Sequence, residues 1–99
     1  MGNLPTHEQF AENLNTTFHV SADDNHTVEL ELVEVSELKL IATQEQFAVV
    51  FRGPRDRFLG QGSRPLEHEK RGPSELFLVP IQEDPEGYYY EAVFNRLRK

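Results

Sequence analysis

The seven residues Glu75-Leu76-Phe77-Leu78-Val79-Pro80-Ile81 constrain the fold of this chain more than any others. Five of the seven are large aliphatic or aromatic residues with no polar alternation between them, which is the pattern of a short strand buried on both faces. A second run, Tyr88-Tyr89-Tyr90-Glu91-Ala92-Val93-Phe94, follows a connection containing Pro85 and Gly87. Two such runs joined by turn residues predict neighbouring antiparallel strands at the centre of a sheet. The rest of the chain is expected to wrap around them.

Upstream, Thr6 with Gln9 three residues on fits a capping box, and Phe10 and Leu14 lie one helical turn apart. This predicts a short helix within residues 5–15, too brief to persist unless it docks on the sheet and plugs one end of the core. Residues 17–22 alternate with period two and stop at Asp23-Asp24-Asn25-His26, a hairpin-like polar cluster. Thr27 to Val35 resumes the alternation, but Val33 sits beside Leu32 and shifts the apolar set by one residue. A bulge near Leu32 and Val33 is the expected remedy, and bulges bend small sheets into barrels.

Leu38, Leu40 and Ile41 either extend that strand or cover an edge. Gln46 to Arg52 reads as a strand with Phe47, Val49 and Phe51 on one face, ended by Gly53-Pro54. Leu66-Glu67-His68-Glu69 reads as a short edge strand, with Pro65 at its start. Arg52-Gly53-Pro54 and Arg71-Gly72-Pro73 are near repeats, taken as reuse of one turn chemistry. The expected fold class is all-β, a small antiparallel barrel or sandwich of six to seven strands with a short N-terminal helix. Its 99 residues suit one domain, with the β portion over residues 17–96.

Function classes are narrowed mainly by exclusion. The chain has no cysteine, so disulfides and thiolate chemistry are out, and a reducing compartment is favoured. No basic-then-apolar leader precedes residue 10 and no 18-residue apolar run occurs, so a soluble, cytoplasmic protein with no membrane partner is expected. Gly2 follows Met1 in a context otherwise poor for myristoylation. Seventeen acidic residues against ten basic ones disfavour nucleic-acid binding, which needs phosphate neutralisation. Residues 1–51 hold nine acids against Lys39 alone, whereas residues 52–99 hold nine bases and eight acids. Such asymmetry either orients self-association or solvates each half separately.

No catalytic constellation stands out. The histidines His7, His19, His26 and His68 never pair at ligand spacing, and His68 is expected as a solvated or ion-paired surface residue. Gly60-Gln61-Gly62-Ser63 lacks the nucleophile-elbow pattern. Carboxylate pairs such as Asp23-Asp24 and Glu83-Asp84 lie in polar, turn-like stretches where they stay ordinary acids. No enzyme activity, metal or cofactor is expected. The best polar candidate is the loop carrying Arg52, Gly53, Arg55 and Arg57, with Arg64 and Arg71 as further members. Backbone amides beside guanidinium forks would hold a phosphate or a partner's carboxylate; the alternative is that these arginines pair with the chain's own acids. Tyr89, on the opposite face from Tyr88 and Tyr90, is the tyrosine placed to contact a partner.

Phe51-Arg52-Gly53-Pro54, Gln61-Gly62, Leu66-Glu67-His68, Leu76-Phe77-Leu78-Val79-Pro80, Gly87 and the ending Tyr90-Glu91-Ala92-Val93-Phe94-Asn95-Arg96 together resemble a family of small bacterial proteins, a domain of unknown function, over roughly residues 10–96. Ser63-Arg64-Pro65 departs from that pattern, where an aromatic residue would precede Leu66. The resemblance implies genes beside phage tail collar-like proteins, hence a structural or accessory role, and carries no catalytic residues. The leading expectation is a non-enzymatic module binding another protein or itself. The rival is a small-ligand or anion binder at the Arg52 to Arg57 loop.

Overall fold

A computed structural model describes residues 6–21 and 26–97. Gly2 and the turn at Asp23-Asp24-Asn25 lie outside the described residues. The helix α1 spans His7–Glu12, followed by strands β1 (Thr17–Ser21), β2 (Thr27–Val35), β3 (Lys39–Ile41), β4 (Gln44–Gly53), β5 (Gly62–His68), β6 (Gly72–Asp84) and β7 (Gly87–Leu97). Every pairing is antiparallel, and β2 pairs with β1 on one side and β4 on the other. The order β2-β1-β5-β6-β7-β4 therefore closes into a six-strand barrel, and β3 is an extra strand on β4. No helix among the described residues is long and apolar enough to cross a membrane.

Two strands turn the corners that close the barrel. β2 pairs with β1 through Thr27–Glu31 and with β4 from Glu31 onward, and its register slips between Leu32 and Glu34. The extra residue is Val33, where the sequence places it. β6 does the same, pairing with β5 through Gly72–Leu78 and with β7 from Val79, with a second slip between Pro80 and Gln82. Pro80, which has no N–H to donate, is tolerated there because the ladder is already irregular.

Burial corrects the reading of the Glu75–Ile81 run. Leu76 and Leu78 point into the core, but Phe77 and Ile81 are 52% and 47% exposed. A barrel wall is one layer thick, so only one face of each strand meets the core. The run is thus a one-faced strand whose outer side is also apolar. β7 follows the expected alternation, with Tyr90, Ala92 and Phe94 buried and Val93 outward. β4 likewise buries Phe47, Val49 and Phe51.

The segment Leu66 to Glu69 is not an edge. β5 lies between β1 and β6, and its ladder with β1 stops at Val20↔Leu66, one residue short of Pro65. The proline therefore costs β1 no bond. The two Arg-Gly-Pro copies do not share a turn either. Gly53 closes β4 without a positive φ, whereas Gly72 opens β6 at φ 73°. Gly53 is required for space, because a Cβ there would sit 2.7 Å from the buried Leu30 Cδ2.

The helix is shorter than residues 5–15 and is built as its ends dictate. Thr6 Oγ1 accepts from the Gln9 amide at 3.1 Å, and the Thr6 amide donates to Gln9 Oε1 at 2.9 Å, completing the capping box. Asn13 ends the helix, and Asn15 at φ 71° redirects the chain. Leu14 consequently falls outside the helix and is 39% exposed. Phe10 alone enters the core, 5.3 Å from the Phe94 ring, 6.0 Å from Phe47 and 6.5 Å from Phe18. The plug is one aromatic side chain on a short helix.

Candidate functional site

The predicted polar site lies where β4 leaves the barrel. Arg52 pairs in register with Tyr89 and Gly53 with Tyr88. This brings Arg52, Gly53 and Tyr89 together, with Arg55 on the turn that follows. The Arg52 guanidinium donates to Glu31 Oε1 at 2.5 Å and to Glu86 Oε1 at 2.9 Å. Arg55 donates to the Asp84 carbonyl and, at 3.3 Å, to Glu83 Oε2, with its guanidinium 5.9 Å from the Tyr88 ring centre. The Arg57 amide donates to the Pro54 carbonyl at 3.4 Å, which closes the turn.

Tyr89 joins the same network. Its hydroxyl donates to Asp84 Oδ2 at 2.9 Å, and this bond, with some desolvation, raises the phenol above its usual range. Loss of water pushes the Asp84 carboxyl up, but the Glu86 amide, the Tyr89 hydroxyl and the Gly87 amide outweigh it and hold the group below its ordinary value. Arg52 is raised, first by the Tyr89 hydroxyl and then, against desolvation, by Glu31 and Glu86. The arrangement ties the turn after β4 to the β6–β7 hairpin.

The charge balance of this surface bears on what it would attract. Beside Arg52 runs a groove of about 310 Å3 lined by Thr17, Glu29, Leu30, Glu31, Arg52, Gly53, Pro54 and Glu86. Three carboxylates face one guanidinium, so an incoming anion must displace carboxylates from Arg52 within a negative field. Of the further arginines, Arg71 pairs with Glu12 at 2.8 Å and Arg64 donates to the Gly60 carbonyl at 3.1 Å. The five positions do not form one pocket. Among the described residues, no cluster of three or more His, Asp or Glu could hold a metal.

His68 is not a surface residue. It is 6% exposed, and its ring lies 4.6 Å from that of Phe18. Nδ1 accepts from the amides of Lys70 at 3.1 Å and Arg71 at 3.3 Å. These partners assign the proton to Nε2, which donates to Thr16 Oγ1 at 2.9 Å. The Thr16 hydroxyl then donates to the Asn13 carbonyl at 2.6 Å, and Asn13 Nδ2 to the Gln9 carbonyl at 2.7 Å. Alternation from the inward Leu66 is the signal that places His68 inside; its flanking glutamates point outward.

The outer wall carries a second feature absent from the expected site. Register places Val93 beside Ala48, and Leu97 beside Gln44, which in turn faces Ile41. Val93, Leu97 and Ile41 are 61%, 76% and 52% exposed. The β6–β7 ladder stops at Val79↔Glu91 although both strands continue. Phe77 and Val93 flank the resulting groove of about 220 Å3, with Glu75 and Arg96 also in its lining.

No curated protein and no solved structure matches this chain. One family model does match, from residue 5 to residue 94, stopping two residues short of the expected end at Arg96. That span takes in the helix cap, the turn after β4 and the wall from Phe77 to Val93, and by it the chain belongs to the family described as a domain of unknown function, DUF6916.

Proposed function

We propose that this domain is a non-enzymatic protein-interaction module that docks a partner on the outer wall of β4, β7 and β6. One observation carries the reading: Phe77 and Val93, which the core does not use, stand more than half exposed on either side of one groove. Contiguous exposed apolar surface on a small domain marks interaction sites. The partner class to test first is a tail collar-like protein, the gene neighbour that the family resemblance implies, and the role is that of an accessory to a tail-like particle. The alternative, anion or small-ligand binding at the Arg52 to Arg57 loop, is weakened by the three carboxylates in the adjoining groove.

The test is co-purification of the tagged domain with that neighbour, for wild type, Val93→Glu and Phe77→Glu. Both side chains face outward, so unfolding free energies should stay within about 0.5 kcal/mol of wild type. Retention of the partner by wild type and its loss in both variants is the expected outcome. Equal retention in all three, or none with wild type, refutes the proposal.

A further inference from the structure

The groove between Phe77 and Val93 is a split in the barrel wall. β7 pairs with β4 all along its length, but β6 accompanies it only from Gly87 to Glu91. β6 in turn gives Gly72 to Leu78 to β5. Among the described residues, β7 from Ala92 onward therefore has one edge without a ladder, and β6 before Val79 has another, facing it across the groove. In an antiparallel pair, alternate residues turn both N–H and C=O away from the partner strand. Each edge thus presents a row of such groups to the groove, and an unpaired row is a template for a further strand. The floor is the core itself, since Leu76, Ala92 and Phe94 in its lining are all buried.

We infer that this groove takes an extended segment of the partner as an added strand, whose outer face carries an apolar side chain flanked by basic ones. The inference rests on the docking proposed above and specifies what docks. The register Val79↔Glu91, continued past the end of the ladder, sets Phe77 opposite Val93 and Glu75 opposite Asn95. A strand lying between them turns every second side chain outward. The one seated between Phe77 and Val93 meets apolar surface, and those two residues before and after it lie beside Glu75 and Glu91. The complement is basic-x-apolar-x-basic, and the net charge of -7 on the chain draws such a segment in. A second copy of this chain does not fit the groove. Its β7 already carries β4 on the other edge, and that strand would fall on β6. The occupant is a lone ribbon with both edges free, a tail or loop of the partner.

The probe is a capped heptapeptide, Thr-Lys-Thr-Val-Thr-Lys-Thr, titrated to millimolar concentration into the full chain and followed by amide NMR and hydrogen exchange. Saturable shifts confined to residues 74–78 and 91–97, with new protection at alternate amides from Ala92 to Leu97, are the expected result. Two peptides with the same side chains, N-methylated at alternate residues, each remove the donors of one edge, and at least one of them should lose the shifts. Glu in place of both Lys should weaken binding several-fold, because the contacts with Glu75 and Glu91 become repulsive. No shift at millimolar peptide overturns the inference, and so does undiminished binding of both N-methylated peptides. Equal binding of the Glu peptide overturns the basic complement. Shifts of the same amides on concentrating the protein alone would give the groove to a second copy and overturn it too. A silent titration, beside a collar-like protein that co-purifies with wild type and is lost in Phe77→Glu and Val93→Glu, rejects the added strand and keeps the docking.

Discussion

Replacing Tyr90 by Phe removes one oxygen from the centre of the barrel and should free the loop that bears Arg55 and Arg57. The Tyr90 ring is fully buried, and its hydroxyl accepts from the Leu59 amide at 2.9 Å. Leu59 is itself 4% exposed, so its amide has no ready access to water. The Phe variant keeps the ring packing and leaves that donor unmatched, at a cost of about 1–3 kcal/mol. If the loop opens to rehydrate the amide, its open population rises roughly five- to hundredfold. Hydrogen exchange at Leu59 and urea unfolding of both proteins measure the two sides of this. Tyr90→Phe and Leu59→Ala should also be non-additive, because either change releases the same loop. A further mark distinguishes the hydroxyl from packing. Burial raises the Tyr90 phenol above its ordinary 10.0, against the Leu59 amide that lowers it. Native stability should therefore fall as pH rises through and beyond about 10, and this contribution should vanish in the Phe variant. Leu59 exchange and an unfolding midpoint both indistinguishable from wild type would refute the role given to this bond.

Gly87→Ala should be the most damaging small substitution, on the order of 3 kcal/mol, because its Cβ would lie 2.1 Å from the Gly53 carbonyl oxygen on a backbone at φ 154°; thermal unfolding of the variant checks this. Phe10→Ala should cost about 3–5 kcal/mol and release α1, read by urea unfolding and by loss of amide protection over residues 7–12. Millimolar phosphate should leave the Gly53 and Arg55 amide resonances unmoved, since Arg52 and Arg55 already face Glu31, Glu86 and Glu83. Saturable shifts at those amides would instead revive anion binding at this loop.

The strand plan was open to reading because alternation and turn chemistry are local. The slip at Leu32-Val33 located a bulge, and Thr6 with Gln9 located the helix cap, since each is decided within a few residues. The sites were read less well. A histidine between two glutamates looks solvated until one knows that its strand has neighbours on both sides and shares the inward face of Leu66. The partners of the arginine loop were not legible either, because its counter-charges stand far away in sequence, Glu31 on β2 and Glu83 and Glu86 at the β6–β7 hairpin.

By itself, the order of residues determined that this chain makes antiparallel strands with a capped helix ahead of them, since periodicity and capping act between near neighbours. Only the closed barrel decided which face of each strand water reaches. Closure makes the wall a single layer, so Leu76 and Leu78 lie inside while Phe77, indistinguishable from them in sequence, lies outside. The same closure brings Gly53 against Gly87 and seats Tyr90 under Leu59, contacts between residues more than thirty positions apart that no local pattern encodes.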